Sequence, residues 1–184
     1  TLREVARLAL PVLGDACIVD VIEDGVLRRV ATAHVSADKA ELLEAMRRAY
    51  PPDPDSPQPS ARVIRSGEPE LLPEITPDVV ASHTRDQEHA RLIRRVGMRS
   101  HLAVPLVARG KTVGVISIGI TESERRYTEA DIAFAMDLAR RVALIWRDKL
   151  KDARETADAW RRVLRMKPGD EEAKEGIVLA KRAM

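Results

Sequence analysis

The sequence is poor in several residue types at once. Cys17 is the single cysteine in 184 residues, which excludes an internal disulfide and any cysteine-rich metal cluster. Asparagine is absent, and the aromatic residues are two tryptophans, two tyrosines and one phenylalanine. Any core is therefore built from Leu, Val, Ile and Ala. No apolar run approaches the ~20 residues of a membrane span. No signal peptide is recognised either, so the expected location is cytoplasmic. Neither sign of charge dominates: 31 Lys and Arg stand against 29 Asp and Glu, a net charge of +2. Such a balance gives no general attraction to nucleic acid or to a membrane surface. A glycine-rich phosphate loop and a nucleophile with a base at telling spacing are both missing, so no enzyme is expected. The arginine-rich, asparagine-free composition fits a bacterial source. The chain begins at Thr1 rather than Met, and is expected to be part of something longer.

What remains is an apolar fraction of 45%, enough for a real core, arranged in clear patterns. Residues 2–13 place Leu2, Val5, Leu8 and Val12 at helical spacing. Residues 15–25 and 26–35 are apolar runs about a Glu23-Asp24-Gly25 turn and predict a hairpin. A helix is expected over 36–50, opened by a Ser36 cap. A proline-rich loop (51–59) follows, then a short helix (60–67) ended by Gly67 and an extended segment (68–75). Residues 76–98 predict two helices broken near 83–86.

The stretch RSHLAVPLVARGKTVGVISIGI, residues 99–120, carries apolar residues at both parities on both sides of an Arg109-Gly110-Lys111 turn. A hairpin of this kind lies in a sheet covered on both faces. Pro105 removes one ladder hydrogen bond, which places it at an edge or a bulge. A long helical pattern begins at Thr128 and Asp131, an N-cap with an acid in the first turn. Strands come in contiguous pairs without βαβ alternation. The fold class is therefore α+β: a central antiparallel sheet of about six strands with helices on both faces.

Residues 100–118 followed by Arg125-Arg126-Tyr127-Thr128-Glu129-Ala130-Asp131 and a long helix resemble a GAF domain. The likeness extends upstream to Asp15–Val21, to Leu27–His34, and to the Tyr50 and Ala61–Pro69 segments. It covers about residues 1–150. The resemblance implies about six antiparallel strands, a helical pair on one face and a ligand pocket on the other. It also implies a sensory role in bacterial signalling proteins such as two-component systems, with an output domain such as a histidine kinase or phosphatase.

The family's special cases fit poorly. Cyclic nucleotide binding goes with an Asn-Lys-Phe-Asp-Glu signature. Here Tyr127 and Asp131 match its Phe and Asp, Ile132 replaces the Glu, and no Asn exists. Bilin attachment uses a cysteine in the middle region, whereas Cys17 is on the first strand and reads as a core thiol. Reduction of free methionine sulfoxide needs a second, resolving cysteine. A cofactor is therefore not assigned, and an unknown small molecule is the open possibility.

The candidate ligand-binding residues are Asp20, His34, Arg95, Arg99 and Ser100. Asp20 interrupts an apolar strand. A buried carboxylate needs a partner, so it either pairs with Arg28 or Arg29 or accepts a hydrogen bond from a ligand. His34 is either a pocket residue or a half-exposed edge residue. Arg91, Arg94, Arg95 and Arg99 form a basic cluster that is a solvated helix face or the rim of an anion site. Ser100 could donate to such an anion. His83 and His89, six residues apart, would stand roughly 240° apart on one helix, so no shared metal is expected.

The domain boundary is placed at 1–150 and 151–184, with the exit helix continuing to about 166 before a short amphipathic helix. Apolar residues recur at Ile132, Ala135, Ala139, Val142, Trp146, Leu150, Ala153, Ala157, Trp160 and Leu164, a heptad-like seam with one stutter. Val142, Trp146, Leu150 and Trp160 are the candidate dimer and signalling residues, and a homodimer is expected. Ala157, Trp160, Leu164, Pro168 and Ala173 also resemble part of a tetratricopeptide repeat. The expected function is a non-enzymatic sensory module. The alternative is a scaffold or dimerisation domain with no ligand, using its helical tail for protein contacts.

Overall fold

The computed structural model describes residues 6, 10, 12–108, 110–166 and 168–183, with backbone alone for 145–152, 154–156, 162, 166 and 183. Contacts divide the chain into two compact units, Thr1–Ala143 and Leu144–Met184. The helix expected over 2–13 falls largely outside the described residues.

The first unit is built on strands β1 (Ala16–Glu23), β2 (Val26–His34), β3 (Glu70–Leu72), β4 (Ser100–Ala108) and β5 (Lys111–Ile120). They form one antiparallel sheet in the order β2-β1-β5-β4-β3. The described residues thus hold five strands rather than the expected six or so. The third is short because Pro69 and Pro73 bracket it, and proline cannot donate to a ladder.

β1 and β2 join through Asp24 and Gly25, both at positive φ (50° and 80°), the backbone of a two-residue primed turn. Glu23 pairs with Val26 and Asp20 with Arg29, but Val19 pairs with Ala31. Val30 is thus an extra residue, a β-bulge. Since side chains alternate, the bulge brings Arg29 onto the same face as Asp20. Pro105 pairs with Val115 of β5, while β3 reaches only as far as Ala103 on the other side. The proline sits where β4 has become an edge, next to a register shift between Leu106 and Val107.

Four helices lie between β2 and β4 in sequence: α1 (Ala37–Ala49), α2 (Pro59–Ser66), α3 (Pro77–His83) and α4 (Gln87–Val96). Ser36 occupies the cap position of α1 by backbone alone, without a side-chain cap bond. Thr76 and Asp86 cap α3 and α4 by accepting from the N–H groups of Val79 and His89. α2 and α4 end at Gly67 and Gly97, both left-handed, a conformation glycine takes without a Cβ penalty.

Leu43 and Met46 of α1 and Leu92 and Val96 of α4 bury against Ala16 of β1. Val63 of α2 buries against Ala103 and Val115. Ala16, Ala103 and Val115 share one sheet face, so these helices cover that face. The opposite face, with Val19, Val21, Leu102, Val104 and Leu106, is buried too. Such burial at both parities accounts for the apolar pattern of the 99–120 hairpin.

Helix α5 (Glu129–Met166) opens with Asp131 accepting from the N–H and Oγ1 of Thr128, at 2.8 and 3.0 Å. In the first unit it buries Ala135, Ala139, Val142 and Ala143. In the second unit the remainder of α5 is followed by α6 (Glu171–Ala183). Ala153, Ala157, Ala173 and Ala180 are buried there. The Trp160 ring occupies the space where a Cβ on Gly176 would stand, so a glycine lets helix and indole approach closely.

Candidate functional site

Between the helix-covered sheet face and α1, α3 and α4 lies a cavity of about 110 Å³. Its apolar wall is formed by Ile18, Met46, Val80, Ile93 and Met98. The polar side chains that line it are Arg29, Tyr50, Gln58, Ser60, Thr84, Ser117 and the histidines His83, His89 and His101. Met98 packs over Gly119, where a Cβ would collide with its sulfur.

Arg29 is the cavity's cation. Its Nε donates to Asp20 Oδ1 at 2.7 Å and its Nη2 to Oδ2 at 3.1 Å. The Asp20 side chain is 1% exposed and that of Arg29 9%. A bidentate pair of this kind is geometrically specific, and removing either member strands the other charge in the interior. Asp20 itself is not among the cavity-lining residues.

The three histidines differ in how fully they are bonded. His83 Nδ1 donates to the Val79 carbonyl at 2.7 Å, and its Nε2 accepts from Arg62, which also pairs with Glu70. His89 Nδ1 accepts from the N–H of Arg85 at 3.3 Å, and Nε2 meets the Gln58 side-chain amide at 3.3 Å. Its ring stacks on Tyr50 with centroids 4.3 Å apart, and the Tyr50 hydroxyl donates to Asp86. Burial lowers the His89 pKa, with the Arg85 and Arg29 charges adding to it against Asp86.

His101 is different. Its Nδ1 is buried with no hydrogen-bond partner among the described residues. Burial depresses its pKa to about 4, opposed only in part by nearby Glu70, so at neutral pH the ring is uncharged. An unmet buried polar atom of this kind costs roughly 1–3 kcal/mol.

The five residues proposed from sequence fall outside the cavity wall. Asp20 stands behind Arg29 and orients it. His34 Nε2 bonds Thr121 Oγ1 at 2.9 Å and its Nδ1 accepts from the N–H of Ser36, tying the ends of β2 and β5 to the start of α1. Burial and the neighbouring Lys39 lower its pKa. Ser100 is buried, donates to the Leu72 carbonyl at 3.3 Å and accepts from the N–H of Tyr127 at 3.0 Å. Arg99 turns to Glu124 and the Ser123 carbonyl. Arg95 is exposed on α4. The structure brings none of these five to the cavity wall.

The separation argued for His83 and His89 does not apply, because the break at 84–86 puts them on different helices, and both line the cavity. Among the described residues no group of three or more His, Cys, Asp or Glu could hold a metal ion. His101 was missed, although its register is readable: it pairs with Gly119 and Leu72 and shares the parity of Ala103. Cys17 points to the opposite sheet face from Ala16 and Ile18, and burial pushes its thiol up to about 12, far from a reactive thiolate. Of the candidate dimer residues, Val142 is buried inside the first unit and Trp160 is half-buried against Gly176. The side chains of Trp146 and Leu150 lie outside the described residues.

The GAF domain family model matches residues 1–146. The chain belongs to the GAF domain family. Solved structures share the fold of this GAF domain at low identity. The second GAF domain of DevS from Mycobacterium smegmatis is 20% identical with a TM-score of 0.57, over 83% of this chain and 95% of that one. The GAF domain/HD domain protein from Geobacter sulfurreducens is 20% identical with a TM-score of 0.60, over 78% and 88%. A domain assigned to a two-component sensor histidine kinase protein from Sinorhizobium meliloti 1021 is 20% identical with a TM-score of 0.55, over 84% and 97%. No curated protein matches the chain. Among the described residues of the GAF domain and its extension, no helix is long and apolar enough to cross a membrane.

Proposed function

We propose that this GAF domain is a non-catalytic sensory module that binds a small molecule in the cavity. It passes the occupied state through α5 to a signalling output domain, as a cytoplasmic homodimer. The observation that carries this reading is His101, a half-buried cavity-lining ring whose Nε2 has no hydrogen-bond partner among the described residues. A largely apolar hollow with a few convergent polar groups is what a small-molecule site needs. The structural likeness to proteins named for an HD domain and for a sensor histidine kinase supports the output side. Phe134 and Leu144, exposed on α5, support a contact between copies. A ligand shifts the output only as far as its affinities for the two signalling states differ.

Native mass spectrometry of protein purified from cells tests the reading. A retained mass that is lost on denaturation is the expected result. An empty protein favours a scaffold, to which Met98 lends support by filling the space above Gly119.

A further inference from the structure

We infer that the molecule taken by this cavity is uncharged, about one ring in size, and carries one hydrogen-bonding group that meets His101. The inference rests on the sensory reading above and narrows it to a ligand class. Charge comes first. Arg29 already shares two guanidinium N–H groups with the Asp20 carboxylate, so the wall's cation is neutralised before anything enters. His83 is already engaged by an arginine donor at Nε2, and burial lowers the pKa of His89 and His101, so neither of these two rings carries a charge near neutral pH. An anion or cation entering this wall loses its water without gaining a free counter-charge, which disfavours it strongly.

Size follows from volume. A cavity of roughly 150 Å³ in another protein admits benzene, and this one measures about 110 Å³. One ring fits once Met46 and Met98 give slightly, as unbranched thioethers do. A nucleotide or a multi-ring chromophore reaches the hollow only with most of itself left outside.

Orientation follows from the histidines. His83 and His89 have protein partners on both ring nitrogens. His101 Nδ1 is closed off even to a water-sized molecule; the nitrogen that a ligand can reach is Nε2, to which no hydrogen bond is found among the described residues. The polar end of the ligand therefore lies at His101, with Ser117 beside it on the neighbouring strand. The apolar remainder faces Ile18, Met46 and Ile93.

Calorimetric titration of the full 184-residue chain with phenol, benzene, benzoate and 1-naphthol tests the inference. Phenol is expected to bind at least about tenfold more tightly than benzoate or 1-naphthol. His101→Phe is expected to weaken phenol by about tenfold while leaving benzene unchanged. In the unsubstituted protein, phenol should also move the side-chain ¹⁵N signals of His101 but not of His34, which keeps the test valid if the variant folds poorly. Benzoate or 1-naphthol binding as tightly as phenol overturns the inference and leaves the sensory reading standing. So does phenol binding that ignores His101. Failure of all four probes overturns the inference as well, and an empty native mass spectrum beside it removes the sensory reading too.

Discussion

Arg29 and Asp20 meet edge to edge across the first hairpin, with two parallel hydrogen bonds of 2.7 and 3.1 Å between a nearly buried guanidinium and a fully buried carboxylate. Their relationship decides what a substitution at Asp20 does. Asp20→Ala leaves Arg29 charged and unpaired in the interior, and a loss of about 3–5 kcal/mol is expected. Urea unfolding of Asp20→Ala, Arg29→Leu and the double variant measures it. The double variant should recover much of the loss of the first; equal stability of wild type and Asp20→Ala would show that the pair carries no such weight.

A pH dependence follows from His101. Its folded pKa lies at about 4, below the ordinary 6.5. Between those values the unfolded chain binds a proton that the folded one does not, so stability falls as pH drops through this window. The contribution is complete above 6.5, lost by about 4, and worth roughly 3 kcal/mol. The groups acting on the ring are Glu70 on β3, which opposes the shift, and His83 on α3, which adds to it. His101→Phe should flatten this part of the pH–stability curve in urea titrations at pH 7, 5.5 and 4.5. An unchanged slope would place the His101 proton elsewhere.

Two glycines of β5 separate a rigid from a yielding environment. A Cβ at Gly114 meets the Asp20 carbonyl, with Leu106 Cδ1 at 2.9 Å and Val21 Cα at 3.1 Å. The β1 backbone at Asp20 and Val21 cannot retreat. Gly114→Ala should cost about 1–3 kcal/mol or more. At Gly119 the obstacle is the flexible Met98 side chain, so Gly119→Ala should cost less and push Met98 toward the cavity. Thermal melts rank the two, and phenol titration of Gly119→Ala should show weakened binding.

In the second unit, Gly176→Ala sets two effects against each other. Alanine favours a helix over glycine by about 1 kcal/mol, but its methyl group would stand where the Trp160 indole lies. The overlap with a rigid ring dominates, and a net loss of stability is expected. Tryptophan emission in a Trp146→Phe background reports it, because the Trp160 ring must move. Unchanged emission would mean the ring does not pack on this glycine.

Much of the scaffold is legible from local chemistry. Gly67 and Gly97 end their helices as left-handed caps, and the break at 84–86 is marked by Asp86 starting a new one. Pro105 falls where an edge was needed. These features are local, and the residues that set them are adjacent in the chain. The cavity was less legible because its polar side chains come from β2, α3, α4, β4 and β5, and no spacing within one element brings them together. Asp20 was recognised as the anomaly in an apolar strand, with Arg29 as one of its possible partners. That Arg29 lines the hollow while Asp20 backs it depends on long-range register. His101 is hidden for a related reason: a single histidine in an apolar strand looks the same whether its ring is satisfied or not.

The bulge at Val30 and the two-residue turn at Asp24-Gly25 hold the upper half of the first hairpin one step out of phase with the lower half. Lengthening that solvent-facing loop by one residue would slide β2 past Asp20 and present a different neighbour to the carboxylate. The polarity of an interior chamber is thus written at a surface bend, and sequence variation there reaches the binding wall without touching it.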